Sequence, residues 1–165
     1  MDSSDKDSYY CDFCGNPARE DDDFCPDCGA IFINDVKCLR HSMTGAEGVC
    51  VICTEPFCEK CGSFINKLFL CHAHERYEII QGMARVYGIN DTSQAELVTG
   101  ILKEKGFHPF IYSKKSNPLH MGNADYTLFR AAGDYNGHTI NELKVMVPCQ
   151  EVLEAEQVLR DMELI

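Results

Sequence analysis

Cys38-Leu-Arg-His41, Cys50-Val-Ile-Cys53, Cys58-Glu-Lys-Cys61 and Cys71-His-Ala-His74 follow one another within the stretch that decides how this chain folds. In each pair two residues separate the potential ligands, which is the spacing that a tight turn needs to direct two side chains at one tetrahedral Zn²⁺. Eight ligands fill two four-coordinate sites and leave no position for water. Closed sites of this kind are structural rather than catalytic, so the pattern predicts that metal holds this part of the molecule together.

A second set of cysteines precedes this stretch, in Cys11-Asp-Phe-Cys14-Gly15 and Cys25-Pro-Asp-Cys28-Gly29. A glycine follows each pair, and glycine supplies the positive φ that a knuckle around a thiolate often requires. The pattern resembles a small zinc ribbon that clamps one metal ion. A rubredoxin-type iron site uses similar knuckles but a longer interval than the ten residues that separate Cys14 from Cys25. Zinc is therefore the favoured metal, with iron as the alternative.

The eleven cysteines are better explained as metal ligands than as a disulfide framework. The N-terminus is polar and acidic rather than a signal peptide, and no stretch is long and apolar enough to span a membrane, which predicts a cytoplasmic location. Thiols stay reduced in that compartment. Disulfides would also leave one cysteine unpaired and would not explain the two-residue spacings.

The charge balance restricts the partners. The formal net charge is −11, and ten ligand thiolates with three Zn²⁺ would change it to −11 − 10 + 6 = −15. Such a chain repels phosphate backbones and anionic membranes. Residues 1–30 contain nine acidic residues against Lys6 and Arg19. This balance argues against nucleic acid and for a module that is structural or faces another protein.

The stretch Cys50-Val-Ile-Cys-Thr-Glu-Pro-Phe-Cys-Glu-Lys-Cys61, together with its flanking pairs, resembles a B-box-type zinc finger. The resemblance implies a cross-brace, in which the first and third pairs share one zinc and the second and fourth pairs share the other. The implied ligand sets are Cys38, His41, Cys58 and Cys61 for one ion and Cys50, Cys53, Cys71 and His74 for the other. Cys71 stands where the eukaryotic pattern more often has histidine. His72 competes with His74, but its adjacency to Cys71 makes joint ligation awkward, which favours His74.

An ordinary α+β pattern begins after the last ligand. It predicts four strands at 83–88, 107–112, 126–129 and 143–147 and two helices at 92–105 and 150–162. Ala95, Leu97, Val98, Ile101 and Leu102 are expected to form the apolar face of the first helix. Pro109 indicates an edge position for the second strand. The order β-α-β-β-β-α is typical of a ferredoxin-like, split β-α-β arrangement with its helices on one face.

This last part resembles a small bacterial domain that is named for signal transduction and is related in shape to the PII proteins. The resemblance is carried by the helix and glycine in 93–107, by Val145-Met-Val-Pro148 and by the helix in 151–159. It implies a regulatory sensor without catalytic residues. The segment 114–140 is longer than the pattern requires; a solvent-exposed hairpin is the preferred explanation, and a loop that binds a small ligand is the alternative.

The predicted organisation is multi-module: a disordered start at 1–10, a zinc ribbon at 11–33, a B-box-type finger at 36–78 with two zinc ions, and an α+β domain at 83–165. No phosphate-binding loop, nucleophile elbow or paired-carboxylate motif is present in the sequence. We therefore expect a non-enzymatic zinc-binding adaptor or regulatory protein with a protein partner. A ubiquitin-ligase-like cross-brace and a nucleic-acid-binding ribbon remain as alternatives, although the Cys38–His41 opening and the charge fit them poorly.

Overall fold

A computed structural model describes residues 9–113, 134–135, 138–139 and 142–165, with the backbone alone described at the two short central pieces. The chain divides into two compact units, Met1–Tyr77 and Glu78–Ile165. All twelve predicted metal ligands therefore belong to the first unit. Both helices of the described residues belong to the second.

The first unit is built from short hairpins that carry the metal-binding turns. Its strands are β1 (Tyr9–Tyr10), β2 (Pro17–Ala18), β3 (Gly48–Val49), β4 (Pro56–Phe57), β5 (Gly62–Ile65) and β6 (Leu68–Cys71). They pair antiparallel as β1–β2, β3–β4 and β5–β6. Asn66 and Lys67 join β5 to β6 with φ values of 50° and 66°. Positive φ at both central residues is what a two-residue turn needs to match the twist of its hairpin.

Among the described residues of this unit, the buried apolar side chains other than cysteine are few and come from its second half: Val49, Val51, Ile52, Phe57, Phe69 and Leu70. Cys11, Cys25 and Cys28 form a separate buried cluster against which Phe32 packs. A unit of this size with so small a core depends on additional constraints such as metal ions. Phe24 and Ile31 form an isolated bridge beside this cluster.

The second unit is an α+β region. Its elements are β7 (Ile79–Ile80), β8 (Met83–Ile89), α1 (Thr92–Glu104), β9 (Phe110–Ser113), β10 (Asp134–Tyr135), β11 (His138–Thr139), β12 (Leu143–Pro148) and α2 (Val152–Asp161). The main sheet has the order β7-β8-β12-β9, and β10 pairs with β11 in a small hairpin. β12 is antiparallel to both of its neighbours. β8 and β9 are therefore parallel to each other, with α1 connecting them and β12 inserted between them.

The two helices contact each other and both contact the central strands β8 and β12, so they lie on one face of the sheet. Val98, Leu102, Val145 and Leu159 are among the residues that fill this core. The expected strand at 126–129 and nearly all of the expected loop at 114–140 fall outside the described residues. The described part thus has the α+β composition that we predicted, and the complete β-α-β-β-β-α order stays a prediction.

Several boundaries differ from the expectation. The second strand begins at Phe110 rather than at 107, because Pro109 has no N–H to donate and the backbone N–H of His108 donates to Glu151 Oε2 at 2.9 Å. This strand does lie at an edge of the described sheet. The first helix is capped by Asp91, whose side chain accepts from the backbone N–H of Gln94 at 3.0 Å. β7 was not predicted.

The buried face of α1 also differs from the prediction. Leu97 is 58% exposed, whereas Thr99 is buried. The hydroxyl of Thr99 donates a hydrogen bond of 2.8 Å to the carbonyl of Ala95 within the same helix. This bond satisfies the only polar group of the side chain, so its methyl group can join the core in place of Leu97.

Candidate metal centre

Four cysteines from the two N-terminal knuckles meet in site 1, which consists of Cys11, Cys14, Cys25 and Cys28. Their sulfur atoms all lie within 4.8 Å of one another. The Sγ atoms of Cys11 and Cys28 are 3.7 Å apart, as are those of Cys14 and Cys25. A disulfide would bring two sulfurs to about 2 Å. The separations therefore describe four thiols around a common centre.

The remaining eight predicted ligands form two groups of four. Site 2 consists of Cys38, His41, Cys58 and Cys61, and site 3 consists of Cys50, Cys53, Cys71 and His74. The pairs alternate along the chain: the first and third supply site 2, and the second and fourth supply site 3. Every residue predicted as a ligand is thus brought into one of three four-membered groups.

His41 and His74 face the sulfurs of their groups with the same ring nitrogen. His41 Nδ1 is 3.3 Å from the Sγ atoms of both Cys58 and Cys61. His74 Nδ1 is 3.2 Å from Cys71 Sγ and 3.6 Å from Cys50 Sγ. The structure leaves His72 exposed and outside the group, although it adjoins Cys71.

These separations fit a tetrahedral zinc ion. Two sulfurs that are each about 2.3 Å from such an ion are separated by about 3.8 Å, and a sulfur and a histidine nitrogen by about 3.5 Å. The observed distances of 3.2–3.8 Å lie close to both values. The three groups are therefore consistent with three zinc ions. Each group has four protein ligands, which is the full coordination number of a structural zinc site.

The same backbone turn presents the ligands in three of the knuckles. The N–H of Gly15 donates to the carbonyl of Cys11 at 2.7 Å, that of Gly29 to Cys25 at 2.8 Å, and that of Thr54 to Cys50 at 2.8 Å. The φ values of these donors are 79°, 80° and 57°. Two of the turns use the glycines that the sequence singled out. Thr54 adopts the left-handed conformation although it is not a glycine, so no glycine marks this turn in the sequence.

Backbone N–H groups in the turns also lower the pKa of some of the ligand thiols. Burial of Cys38 opposes ionisation, but hydrogen bonds from the N–H groups of Cys58, Arg40 and His41 outweigh it and lower the pKa of this thiol to about 6. In site 1, burial likewise opposes ionisation of Cys11, and the N–H groups of Cys14 and Phe13 lower its pKa below the ordinary value. These backbone N–H groups therefore favour ionisation of one cysteine in site 1 and of one cysteine in site 2 before any metal is bound.

In each group at least one other thiol has a raised pKa. In site 3 a hydrogen bond from Cys53 lowers the pKa of Cys50 to about 4, and the same bond raises the pKa of Cys53. Burial raises the pKa of Cys25 to about 11 and also raises that of Cys28. Several thiolates so close together repel one another in the absence of a cation. A divalent metal ion offsets this repulsion with its positive charge and displaces the remaining thiol protons.

Site 1 is connected to sites 2 and 3 through the backbone of the first unit. The N–H of Val49 donates to the carbonyl of Gly29, and the N–H of Phe69 donates to the carbonyl of Cys28, both at 2.8 Å. The rings of Phe13 and Phe64 contact each other at a tilt of 44°, with their centroids 4.6 Å apart. The segment that carries site 1 is therefore packed against the segment that carries the other two sites.

Two residues of the second unit, Cys149 and His108, lie outside these three groups. Cys149 is buried at the start of the turn before α2, and among the described residues it belongs to no metal-binding group. His108 Nδ1 lies 2.7 Å from Glu151 Oε1. Sequence reasoning missed this pair because the two residues are far apart in the chain.

Comparisons with known proteins identify no family and no relative for this chain. No family model matches the chain, and no curated protein or solved structure is detectably similar to it. Among the described residues no helix has the length and apolar character needed to cross a membrane.

Proposed function

We propose that this chain is a non-enzymatic zinc-binding adaptor with a regulatory or signalling role in the cytoplasm of a bacterial cell. The observation that carries the proposal is the closed ligand set of each metal group. Four protein ligands per group leave no coordination position for a substrate or for an activated water. In this role zinc shapes a surface that other proteins recognise.

The architecture supports a finer description of the first unit. The alternating use of ligand pairs by sites 2 and 3 is the pairing expected of a cross-braced, B-box-type finger. The two glycine-containing knuckles of site 1 are those expected of a zinc ribbon. We infer that the two pieces act together, since hydrogen bonds and aromatic contacts join them.

For the second unit we propose a ferredoxin-like domain of the signal-transducing type. The parallel pair β8 and β9, with β12 between them and both helices on one face, supports this description. Such a domain would supply a second protein-binding surface or a cleft for a small ligand. The acidic charge of the chain favours protein over nucleic acid as the partner of either unit.

Cobalt substitution tests whether the sites are closed. Co²⁺ in place of zinc reports its ligands through its visible spectrum, and adding azide changes that spectrum where an exchangeable position exists. We expect no change at any site. A spectrum that shifts with the added anion would indicate an open, catalytic type of site and would overturn the non-enzymatic proposal.

Capture experiments test the adaptor role. A tagged full-length chain loaded with zinc is expected to retain a defined set of proteins from extracts of the cells that produce it. The same chain treated with a chelator is the control and should lose the proteins that bind to the first unit. Recovery of no protein above the level of the chelated control would count against an adaptor.

A further inference from the structure

An open, mainly apolar groove lies in the first unit, between the segment of site 1 and the segment of sites 2 and 3. We call it the Ile33 groove. Its volume is about 260 Å³, and its lining residues are Asp23, Phe24, Ile31, Ile33, Val36, Val49, Thr54 and Pro56. All of them belong to the compact unit Met1–Tyr77.

Metal-dependent elements form both walls of the groove. Phe24 and Ile31 face each other across an isolated bridge beside the second knuckle of site 1. Val49 and Pro56 are paired across β3 and β4, which flank the turn that starts at Cys50. Since the zinc sites hold these turns, we expect the groove to exist only in the metal-loaded protein.

Ile33 is 47% exposed at the edge of this apolar surface. A single exposed apolar side chain needs no explanation. Here, however, it continues a concave lining of isoleucine, valine, phenylalanine and proline. A concave apolar surface that stays open to water is suited to receiving an apolar side chain from another molecule.

The charged residues of the lining and of the positions next to it in the sequence, which we call the rim, have one dominant sign. Asp23 lines the groove, and Asp22, Asp35 and Glu55 are each next in sequence to a lining residue, as is Lys37. Four acidic residues thus stand against one basic residue. The described part of the whole unit, residues 9–77, has six Lys and Arg against eleven Asp and Glu, which gives 6 − 11 = −5. An occupant with positive charge around an apolar centre complements this rim.

We propose that the Ile33 groove binds a segment of a partner protein that presents an apolar side chain flanked by lysine or arginine. The inference rests on the adaptor function and names the chemistry of its partner. The groove volume of about 260 Å³ lies below the roughly 300–1,000 Å³ of small-molecule pockets, which favours a side chain over a cofactor.

Charge also argues against two occupants that this chain could supply, its first eight residues and a second copy. Residues 1–8 contain Asp2, Asp5 and Asp7 against Lys6, so this segment would be repelled by the acidic rim. A second copy of the chain carries a net charge of −11 and meets the same repulsion. A basic and apolar segment of a different protein has the charge that neither of these two occupants has.

Peptide display on the intact zinc-loaded chain tests the proposal. A library of random peptides is selected on the wild-type protein and, in parallel, on Ile33→Lys, which places a positive charge in the groove. We expect the wild type to enrich peptides with an apolar residue between basic residues, and the variant to lose this enrichment. Enrichment of acidic or uncharged peptides, or equal enrichment on both proteins, would overturn the proposal.

Ile65→Lys provides a matched control, since Ile65 is an exposed isoleucine of the same unit that does not line the groove. With the enriched peptide as the probe in fluorescence anisotropy, we expect Ile33→Lys to weaken binding roughly tenfold or more. Ile65→Lys should change it less than about twofold. Native mass spectrometry should find three zinc ions in each variant, which shows that the fold is kept.

Asp23→Asn tests the charge separately from the apolar lining. Removing one exposed acidic group should weaken the peptide about two- to fivefold, and added salt should reduce that difference. An unchanged affinity would overturn the charge complementarity. If proteins are still captured by the full chain while no basic and apolar peptide is selected, the adaptor function stands and the groove proposal fails.

Discussion

The backbone N–H of Phe69 donates a hydrogen bond of 2.8 Å to the carbonyl of Cys28. Cys28 is a ligand of site 1, whereas Phe69 lies in the hairpin that ends at Cys71, a ligand of site 3. The neighbouring bond from Val49 to Gly29 joins the same two segments. Two metal groups that are distant in the sequence are therefore fixed to one framework, and loss of either metal is expected to weaken the other site.

Gly29→Ala should destabilise the first unit much more than Gly15→Ala. Both glycines have nearly the same positive φ, 80° and 79°, so both substitutions incur about 1–2 kcal/mol for the left-handed conformation. A Cβ at Gly29 would lie 2.0 Å from the backbone carbonyl oxygen of Val49, whereas a Cβ at Gly15 meets no atom within 4 Å. We expect a total loss of roughly 3 kcal/mol or more for Gly29→Ala.

The measurement for this pair of variants is the concentration of chelator that removes half of the bound zinc. It should fall modestly for Gly15→Ala and strongly for Gly29→Ala. Equal effects of the two substitutions would show that the close packing of Gly29 against Val49 does not contribute to stability.

Removing the metal should unfold the first unit and leave the second folded. Structural zinc sites contribute roughly 10–16 kcal/mol of apparent binding free energy each, which is coupled to folding. The second unit has its own apolar core, and both described helices belong to it. Hydrogen exchange followed by mass spectrometry should show loss of protection in residues 11–77 and retained protection in α1, α2 and β12.

Far-ultraviolet circular dichroism supplies the control for this experiment, because the helical signal of the described residues arises in the second unit. That signal should persist in excess chelator. Its disappearance would mean that the second unit also depends on metal, and full protection of residues 11–77 without metal would contradict the role assigned to zinc.

His74→Ala should reduce the metal content from three zinc ions to two, whereas His72→Ala should leave it at three. The ring nitrogen of His74 lies 3.2 Å from Cys71 Sγ, and His72 is exposed and outside the group. Native mass spectrometry with elemental analysis measures both the number and the identity of the ions. Loss of zinc in the His72 variant and not in the His74 variant would reverse the ligand assignment.

Arg85→Met should destabilise the second unit by about 2–3 kcal/mol. Arg85 pairs with Glu142, whose side chain is only 6% exposed, and its other terminal nitrogen lies 3.5 Å from Glu78 Oε2. The second carboxylate oxygen of Glu142 is buried and has no hydrogen-bond partner among the described residues. Removing Arg85 would leave this carboxylate buried without its cation. Urea unfolding followed by the helical signal measures the loss.

Arg160→Met is the matched control, since Arg160 is 57% exposed and pairs with Glu156 at 3.8 Å along the surface of α2. It should cost less than about 0.5 kcal/mol. Adding Glu142→Leu to Arg85→Met should restore part of the stability, because the uncompensated charge is then gone as well. Similar effects for both arginine variants would show that the Arg85–Glu142 pair is not effectively buried.

The two-residue spacing of the ligand pairs predicted more of the structure than the apolar periodicity of the helices did. The three groups contain all twelve predicted ligands, because two-residue spacing is a property of one turn, which depends on its own few residues. The buried face of α1 was partly wrong because helical periodicity alone did not distinguish Leu97 from Thr99, and packing against the sheet decided between them. The start of β9 was misplaced because the bond between His108 and Glu151 joins residues that are far apart in the chain.

By itself, the sequence determined which side chains can bind metal, how many ions they can hold, and that an α+β region follows them. The tertiary structure decided how site 1 is packed against the other two sites, which residues line the Ile33 groove, and that Arg85 meets Glu142. Spacing could limit the ligand sets because each knuckle places its two ligands locally. The packing and the groove depend on contacts between distant segments, whose free energy is set by close fit and burial that no local pattern records.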